Sequence, residues 1–280
     1  MKAPRPTRPI PILLYHSISE DASPGYLEYT VTPSQFRAQM ELIAAGGYRT
    51  LTVSELATLL ADPAATVPER AVLVTFDDGF AEVYNQGLPI LLDLGITATV
   101  FAISGFVGRS STWLRRIGEG SRPLLTWEQL AALHDKGIEI GSHGHSHRQL
   151  DTIPLASAGE EIRKSREILE AGLGTPIRAF AYPHGYHSPA IRELVRESGY
   201  SSACAVKHAL SHPDDDRWAL GRAVVSRETT IDQLAQWLDG RGLPISSFGE
   251  RTQTRIWRVG RRTTARVRDR SVVADPSSAV

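Results

Sequence analysis

The feature that most constrains this chain is its rhythm. Short apolar, β-rich runs at 12–16, 71–75, 97–103, 138–141, 178–181, 200–206 and 219–225 read as strands. Helical signals fall between them. Thr32 before Pro33 is a helix start, Phe36, Met40 and Ile43 form its stripe, and Gly46-Gly47 stops it. Further helices are predicted over 83–94, 126–136, 158–172, 188–198 and 230–238. Strands that alternate with helices pair in parallel through right-handed crossovers. About seven such units favour a closed or nearly closed barrel, which fits within about 250 residues. The predicted fold is an α/β chain forming a (β/α) barrel of seven to eight strands, with distortion or incomplete closure allowed. Its expected extent is 10–249, after a flexible N-terminus (1–9) and before a basic C-terminal tail (250–280).

Composition narrows the function classes. Apolar residues make up 41% of the 280, enough for a large core and too many for a disordered chain. Net charge is zero, which excludes a generally basic nucleic-acid binder. The zero is uneven, because residues 251–280 hold eight arginines and two aspartates and leave an acidic body. The tail also carries Ile256, Trp257 and Val259. It reads either as a frayed end or as a segment lying peripherally on an anionic membrane. Cys204 is the single cysteine, so an intrachain disulfide and a cysteine-rich zinc module are both excluded. No stretch approaches the roughly 20 apolar residues of a membrane span. The N-terminus lacks a convincing signal-peptide core, so a cytoplasmic location, with membrane association through the tail, is expected.

In a barrel of this kind, chemistry sits at the C-terminal ends of strands. Three such ends stand out. The first, Val74-Thr75-Phe76-Asp77-Asp78-Gly79, runs a strand into two adjacent carboxylates. Adjacent side chains at a strand end diverge, so one carboxylate can bind a metal while the other stays free; an ordinary Asp-Gly turn is the alternative. The second, Gly141-Ser142-His143-Gly144-His145-Ser146-His147, places three histidines within five residues. His143 and His147 suit two imidazoles on one metal if the segment turns helically, and with Asp78 they leave positions open for water and substrate. The third, Phe180-Ala181-Tyr182-Pro183-His184-Gly185, has an extended residue before proline and a glycine that allows close backbone approach. It could present an N–H to an oxyanion or be a plain turn.

Together these segments resemble the polysaccharide deacetylases, carbohydrate esterases with the NodB homology domain, over roughly residues 10–240. Thr75-Phe76-Asp77-Asp78-Gly79 matches the first family motif. His143 to His147 matches His-(Ser/Thr)-x-x-His, with Gly144 where Ser or Thr is usual. The resemblance implies Asp77 as general base and Asp78, His143 and His147 as metal ligands, with a structural role for His145. The implied metal is zinc, with cobalt, manganese, nickel or iron as alternatives. The third motif departs from the usual Arg-x-Pro-(Tyr/Phe), since Ala181 holds the arginine position and His184 the aromatic one. The missing arginine implies an Asp77 without its usual partner, and Tyr182 is taken to supply the oxyanion N–H. The late Leu-x-His motif has no good copy, because Leu210-Ser211-His212 fits only in letters. Leu14-Tyr15-His16 resembles the Tyr-His of the circularly permuted poly-N-acetylglucosamine deacetylases, which makes His16 the expected general acid.

The implied activity is metal-dependent removal of N-acetyl groups from an acetamido-sugar glycan or precursor, with carbohydrate as partner and no nucleic acid. A non-catalytic carbohydrate-binding relative is the alternative, supported by the altered third motif. A non-haem iron enzyme also uses two histidines and a carboxylate, but on a β-sandwich. Asp214-Asp215-Asp216-Arg217-Trp218 reads as a solvated turn. Trp113 and Trp127 lie in or beside an insertion at 104–123, where an aromatic could stack on a sugar or pack a lid.

Overall fold

Seven strands of this computed structural model, which describes residues 8–246, form one parallel sheet that curls into a half-barrel with helices around it. The strands are β1 (Ile12–Tyr15), β5 (Ala71–Phe76), β6 (Thr99–Ala102), β7 (Glu139–Ser142), β8 (Ala179–Ala181), β9 (Ser202–Cys204) and β10 (Ala223–Val224), in the spatial order β10-β1-β5-β6-β7-β8-β9. β4 (Arg49–Thr50) adds to the start of β5, and β2 (Ser17–Ile18) pairs with β3 (Thr30–Val31) beside the barrel. The helices are α1 (Pro33–Ala45), α2 (Val53–Ala61), α3 (Leu88–Asp93), α4 (Trp127–Asp135), α5 (Leu155–Leu173), α6 (Pro189–Glu197) and α7 (Ile231–Leu238). Four of them begin in capping boxes, Thr32/Gln35, Thr52/Glu55, Thr126/Gln129 and Thr230/Gln233, which satisfy otherwise orphaned first-turn N–H groups.

The two-residue period of the strands sorts side chains into two cores. Val72, Val74 and Phe76 face outward to Phe36, Met40 and Leu91 under the helices. Ile12, Leu73, Phe101, Ala179, Ala181, Cys204 and Leu220 fill the interior. Gly141 lies among them because a Cβ there would sit 2.5 Å from the Phe101 ring. Helix α2 plugs the N-terminal end: Val53 N–H donates to Thr99 Oγ1 (3.0 Å) and Ser54 N–H to Glu139 Oε2 (3.3 Å), at the first residues of β6 and β7. That leaves the C-terminal end for a site.

Two elements differ from expectation. The helix predicted over 83–94 is a π-turn at Val83–Gly87 leading into α3. Pro89 has no N–H to return to the Asn85 carbonyl, so the turn before it widens and Leu88 N–H bonds Val83 O. The last predicted strand, 219–225, spans the seam of the sheet. Leu220 bridges to Cys204 of β9, while Ala223 and Val224 pair with Leu13 and Leu14 of β1. Gly221 and Arg222 cross between. The expected tail, 250–280, and residues 1–7 of the expected arm lie outside the described residues; Arg8 ion-pairs with Asp239 at 3.3 Å. Among the described residues no helix is long and apolar enough to cross a membrane.

Candidate active site

Asp77 and Asp78 follow β5 directly, and the backbone separates them. Asp77 continues the strand, with its N–H on Tyr15 O (3.0 Å), so its side chain enters the interior above Leu73 and Thr75. Asp78 takes a left-handed φ of 68°, which aspartate tolerates, and Gly79 follows at 72°. This turn swings the Asp78 carboxylate toward the histidine loop. Gly79 is required there, since a Cβ would meet the Ala102 backbone at 3.3 Å.

Each carboxylate meets different partners. Arg222 is fully buried and grips Asp77 with both prongs, Nη1 to Oδ1 and Nη2 to Oδ2, each at 2.7 Å. Its Nη1 also reaches Thr75 Oγ1 (3.2 Å) and its Nε donates to Ala205 O (3.1 Å), so the fork has little freedom. Burial alone would raise the Asp77 carboxyl, but Arg222 and His143 outweigh it and hold it below the ordinary carboxylate value. The expectation that Asp77 lacks an arginine is therefore corrected. The guanidinium comes from the seam strand, not from position 181, where Ala181 offers its carbonyl to His143 instead.

Asp78 faces the imidazoles. Its Oδ1 lies 3.2 Å from His147 Nε2 and 3.5 Å from His143 Nε2. Burial opposes ionisation of Asp78, yet the two histidines and His16 pull its carboxyl well below the usual range. His143 Nδ1 lies 2.9 Å from Ala181 O, and a carbonyl only accepts, so the proton is on Nδ1 and the Nε2 lone pair faces the site. Burial pushes the His143 imidazole down to about 4, which keeps it neutral. One ligand atom from each of Asp78, His143 and His147 lies within 4.8 Å of the others. Asp78 Oδ1 is buried with no hydrogen-bond donor among the described residues. A buried carboxylate oxygen beside the His143 lone pair and the His147 Nε2 atom makes a donor set that fits a divalent cation.

The histidine pair does not arise from a helical turn. Gly144 (φ 78°) and His147 (φ 58°) are left-handed, and the loop folds back on itself. Gly144, where Ser or Thr was expected, suits that backbone. Ser146 anchors the loop to α5 through Glu161 (N–H to Oε2 2.8 Å, Oγ to Oε1 2.6 Å). His145 turns aside to Ser104 Oγ (3.0 Å). Behind His147 stand the rings of Trp113 (5.2 Å) and His184 (4.7 Å). Trp127 instead packs on α5, against Gly172.

His16 directly follows β1, with its Nδ1 buried and without a hydrogen-bond partner among the described residues, and its ring is edge-on to Tyr29 (5.2 Å). Burial lowers its pKa against the opposing pull of Asp78 and Asp77, whose fields reach it. His212 belongs to a different region: Ser211 bonds Ile10, before β1 begins.

Two readings are corrected here. Tyr182 N–H cannot serve an oxyanion, because it donates to Cys204 O (3.1 Å) in the β8–β9 ladder, while the Tyr182 hydroxyl holds Trp218 O (2.8 Å). The amide two residues on, at His184, sits in a left-handed turn (φ 60°) and has no acceptor among the described residues. Gly185 beyond it (φ 75°) is needed for close approach, as a Cβ would lie 2.4 Å from Val206. The aspartate run is not simply solvated either. Asp215 is buried and accepts from Ser211 Oγ (2.8 Å), His212 N–H (3.0 Å) and Ser246 Oγ (2.7 Å).

Comparisons with known proteins agree with this fold. Residues 64–203, half of the chain, match the family model described as polysaccharide deacetylase. The poly-beta-1,6-N-acetyl-D-glucosamine N-deacetylase of Staphylococcus epidermidis is 25% identical over 219 residues, covering 75% of this chain and 72% of that protein. The solved structure of IcaB from Ammonifex degensii superposes with a TM-score of 0.69 at 27% identity, covering 82% of this chain and 96% of the other. The Streptococcus pyogenes deacetylase PplD in complex with acetate shares the fold, with a TM-score of 0.70 at 24% identity over 82% of this chain and 98% of its own.

Proposed function

The chain belongs to the polysaccharide deacetylase family of metal-dependent hydrolases, and from that premise we propose that it removes N-acetyl groups from an N-acetylglucosamine-containing glycan, with Asp77, Asp78, His143, His147, His16 and the His184 amide as its working groups. The observation that carries this reading is the sorting of two adjacent carboxylates, one onto Arg222 and one toward two imidazoles. The similarity to the staphylococcal N-deacetylase and to IcaB supports the substrate class.

Asp78, His143 and His147 would hold the cation, zinc or another divalent ion. When bound, it supplies Lewis acidity toward the acetyl carbonyl and a water. Asp77, ionised and fixed by Arg222, accepts the proton of the attacking water as its oxygen adds to the carbonyl carbon. The His184 N–H donates to the oxygen on which negative charge develops. His16 delivers a proton to the sugar nitrogen as the C–N bond breaks, so that the products are acetate and a free amine. The arginine that position 181 lacks is present as Arg222, which removes the ground for a non-catalytic relative. The parallel barrel likewise leaves the iron-enzyme reading without its β-sandwich.

Acetate release from β-1,6-linked N-acetylglucosamine oligomers is the direct test. Release that stops with chelator and returns with added Zn²⁺ is expected, and chelator-insensitive release would overturn the metal assignment. Replacing His16 with Gln is expected to lower turnover about 10²-fold with metal content unchanged. An unaltered rate would assign His16 to packing alone.

A further inference from the structure

We infer that Tyr26 is a positioning residue for the metal ligand Asp78, an inference that rests on the metal reading above. The two oxygens of Asp78 have different surroundings. Oδ1 faces the two histidines without a hydrogen-bond donor, whereas Oδ2 accepts from the Tyr26 hydroxyl at 3.4 Å. A donor on Oδ2 holds the carboxylate plane and leaves Oδ1 as the single ligand atom. A carboxylate free to rotate would present either oxygen and lose entropy on binding.

Tyr26 comes from the 19–29 segment, outside the motifs that carry the site, yet it is buried and tied on all sides. Its N–H bonds Ser23 O (2.9 Å) and its carbonyl accepts from Thr30 Oγ1 (3.1 Å). Its ring meets Phe80 (5.9 Å), two residues beyond Asp78, and the Arg122 guanidinium lies 5.5 Å from its centroid. Arg122 is a clasp between loops. It binds Glu119 Oε2 through Nε (3.0 Å) and Nη2 (2.8 Å), Ser17 Oγ (2.7 Å), Asp21 O (3.1 Å) and Glu82. Glu119 in turn receives the Ser23 N–H. The insertion at 104–123 thus seats the 19–29 segment, and that segment delivers one hydroxyl to the ligand. A ring needed only for packing would not require its hydroxyl on this carboxylate.

The test is Zn²⁺ affinity of the full chain by calorimetry with a competing chelator, with the Co²⁺ absorption spectrum as a reporter of ligand geometry. Tyr26→Phe keeps the ring and removes the hydroxyl. It is expected to weaken Zn²⁺ binding about 10- to 100-fold and to alter the Co²⁺ spectrum, with the metal-free unfolding midpoint nearly unchanged. Tyr29→Phe, which removes a hydroxyl three residues on, is expected to leave Zn²⁺ affinity as it is. Equal affinity in Tyr26→Phe overturns the inference, as does an equal loss in Tyr29→Phe or a matching loss of metal-free stability. Failure of the wild-type chain to bind Zn²⁺ overturns the metal reading and this inference with it.

Discussion

Asp77→Asn is expected to lower acetate release by about 10²–10⁴-fold while the protein still binds its metal. The substitution preserves shape and removes the negative charge, and with it the ability to take a proton; it also leaves the Arg222 guanidinium without its counter-charge, at a cost in stability. Asp77 is the carboxylate the cation does not need, since Arg222 holds one lone pair on each of its oxygens and orients the remaining ones for the water's proton. Metal content should therefore stay at the wild-type level, whereas Asp78→Asn should lower it. The contrast between neighbours separates base from ligand. If Asp77→Asn kept near wild-type turnover with metal bound, the base would have to be another group. If it lost metal as fully as the Asp78 variant, the division of labour would be wrong.

Much of this site could be read from the chain, and the physical reason is locality. Asp77 and Asp78 end an apolar strand, and His143 and His147 crowd one loop after another, so short spacing carries their chemistry. The barrel followed from apolar runs and from helix start and stop signals such as Thr32-Pro33 and Gly46-Gly47, both local. Arg222 was missed because its partner is 145 residues away in sequence. A signal did exist, since Arg222 interrupts Ala219-Leu220-Gly221 and Ala223-Val224-Val225, an otherwise small and apolar strand. A charge in a buried strand demands a counter-charge. The Tyr182 error has another cause: motif lettering does not show which amides the strand ladder consumes, and that ladder ends one residue later than the letters suggested. Tyr26 left no trace in the sequence, because its role depends on two loops clasping through Arg122.

Arg222→Met is expected to destabilise the fold by about 3–5 kcal/mol, the cost typical of breaking a buried ion pair from one side. The guanidinium has no exposure to water, and Asp77 is 2% exposed, so neither charge can recover solvation when the other is removed. The loss would also strike the seam. Arg222 lies between Leu220, bridged to β9, and Ala223, paired with β1, and its Nε holds Ala205 O. Its side chain thus braces the interior where the ladder is thinnest. Urea unfolding of the metal-free protein measures this directly, and a cost below about 1 kcal/mol would show that the pair is not holding the seam. Arg222→Lys keeps the charge but not the fork, so it should retain more stability than Met and still lose turnover, because one ammonium cannot fix both Asp77 oxygens. The double variant Asp77→Asn with Arg222→Met removes both charges of the pair and leaves neither without its partner. It is expected to be more stable than the sum of the two single losses predicts, with a coupling of about 0.5–3 kcal/mol. Simple additivity would mean that the two residues act independently, and the orientation of Asp77 would then need a different cause.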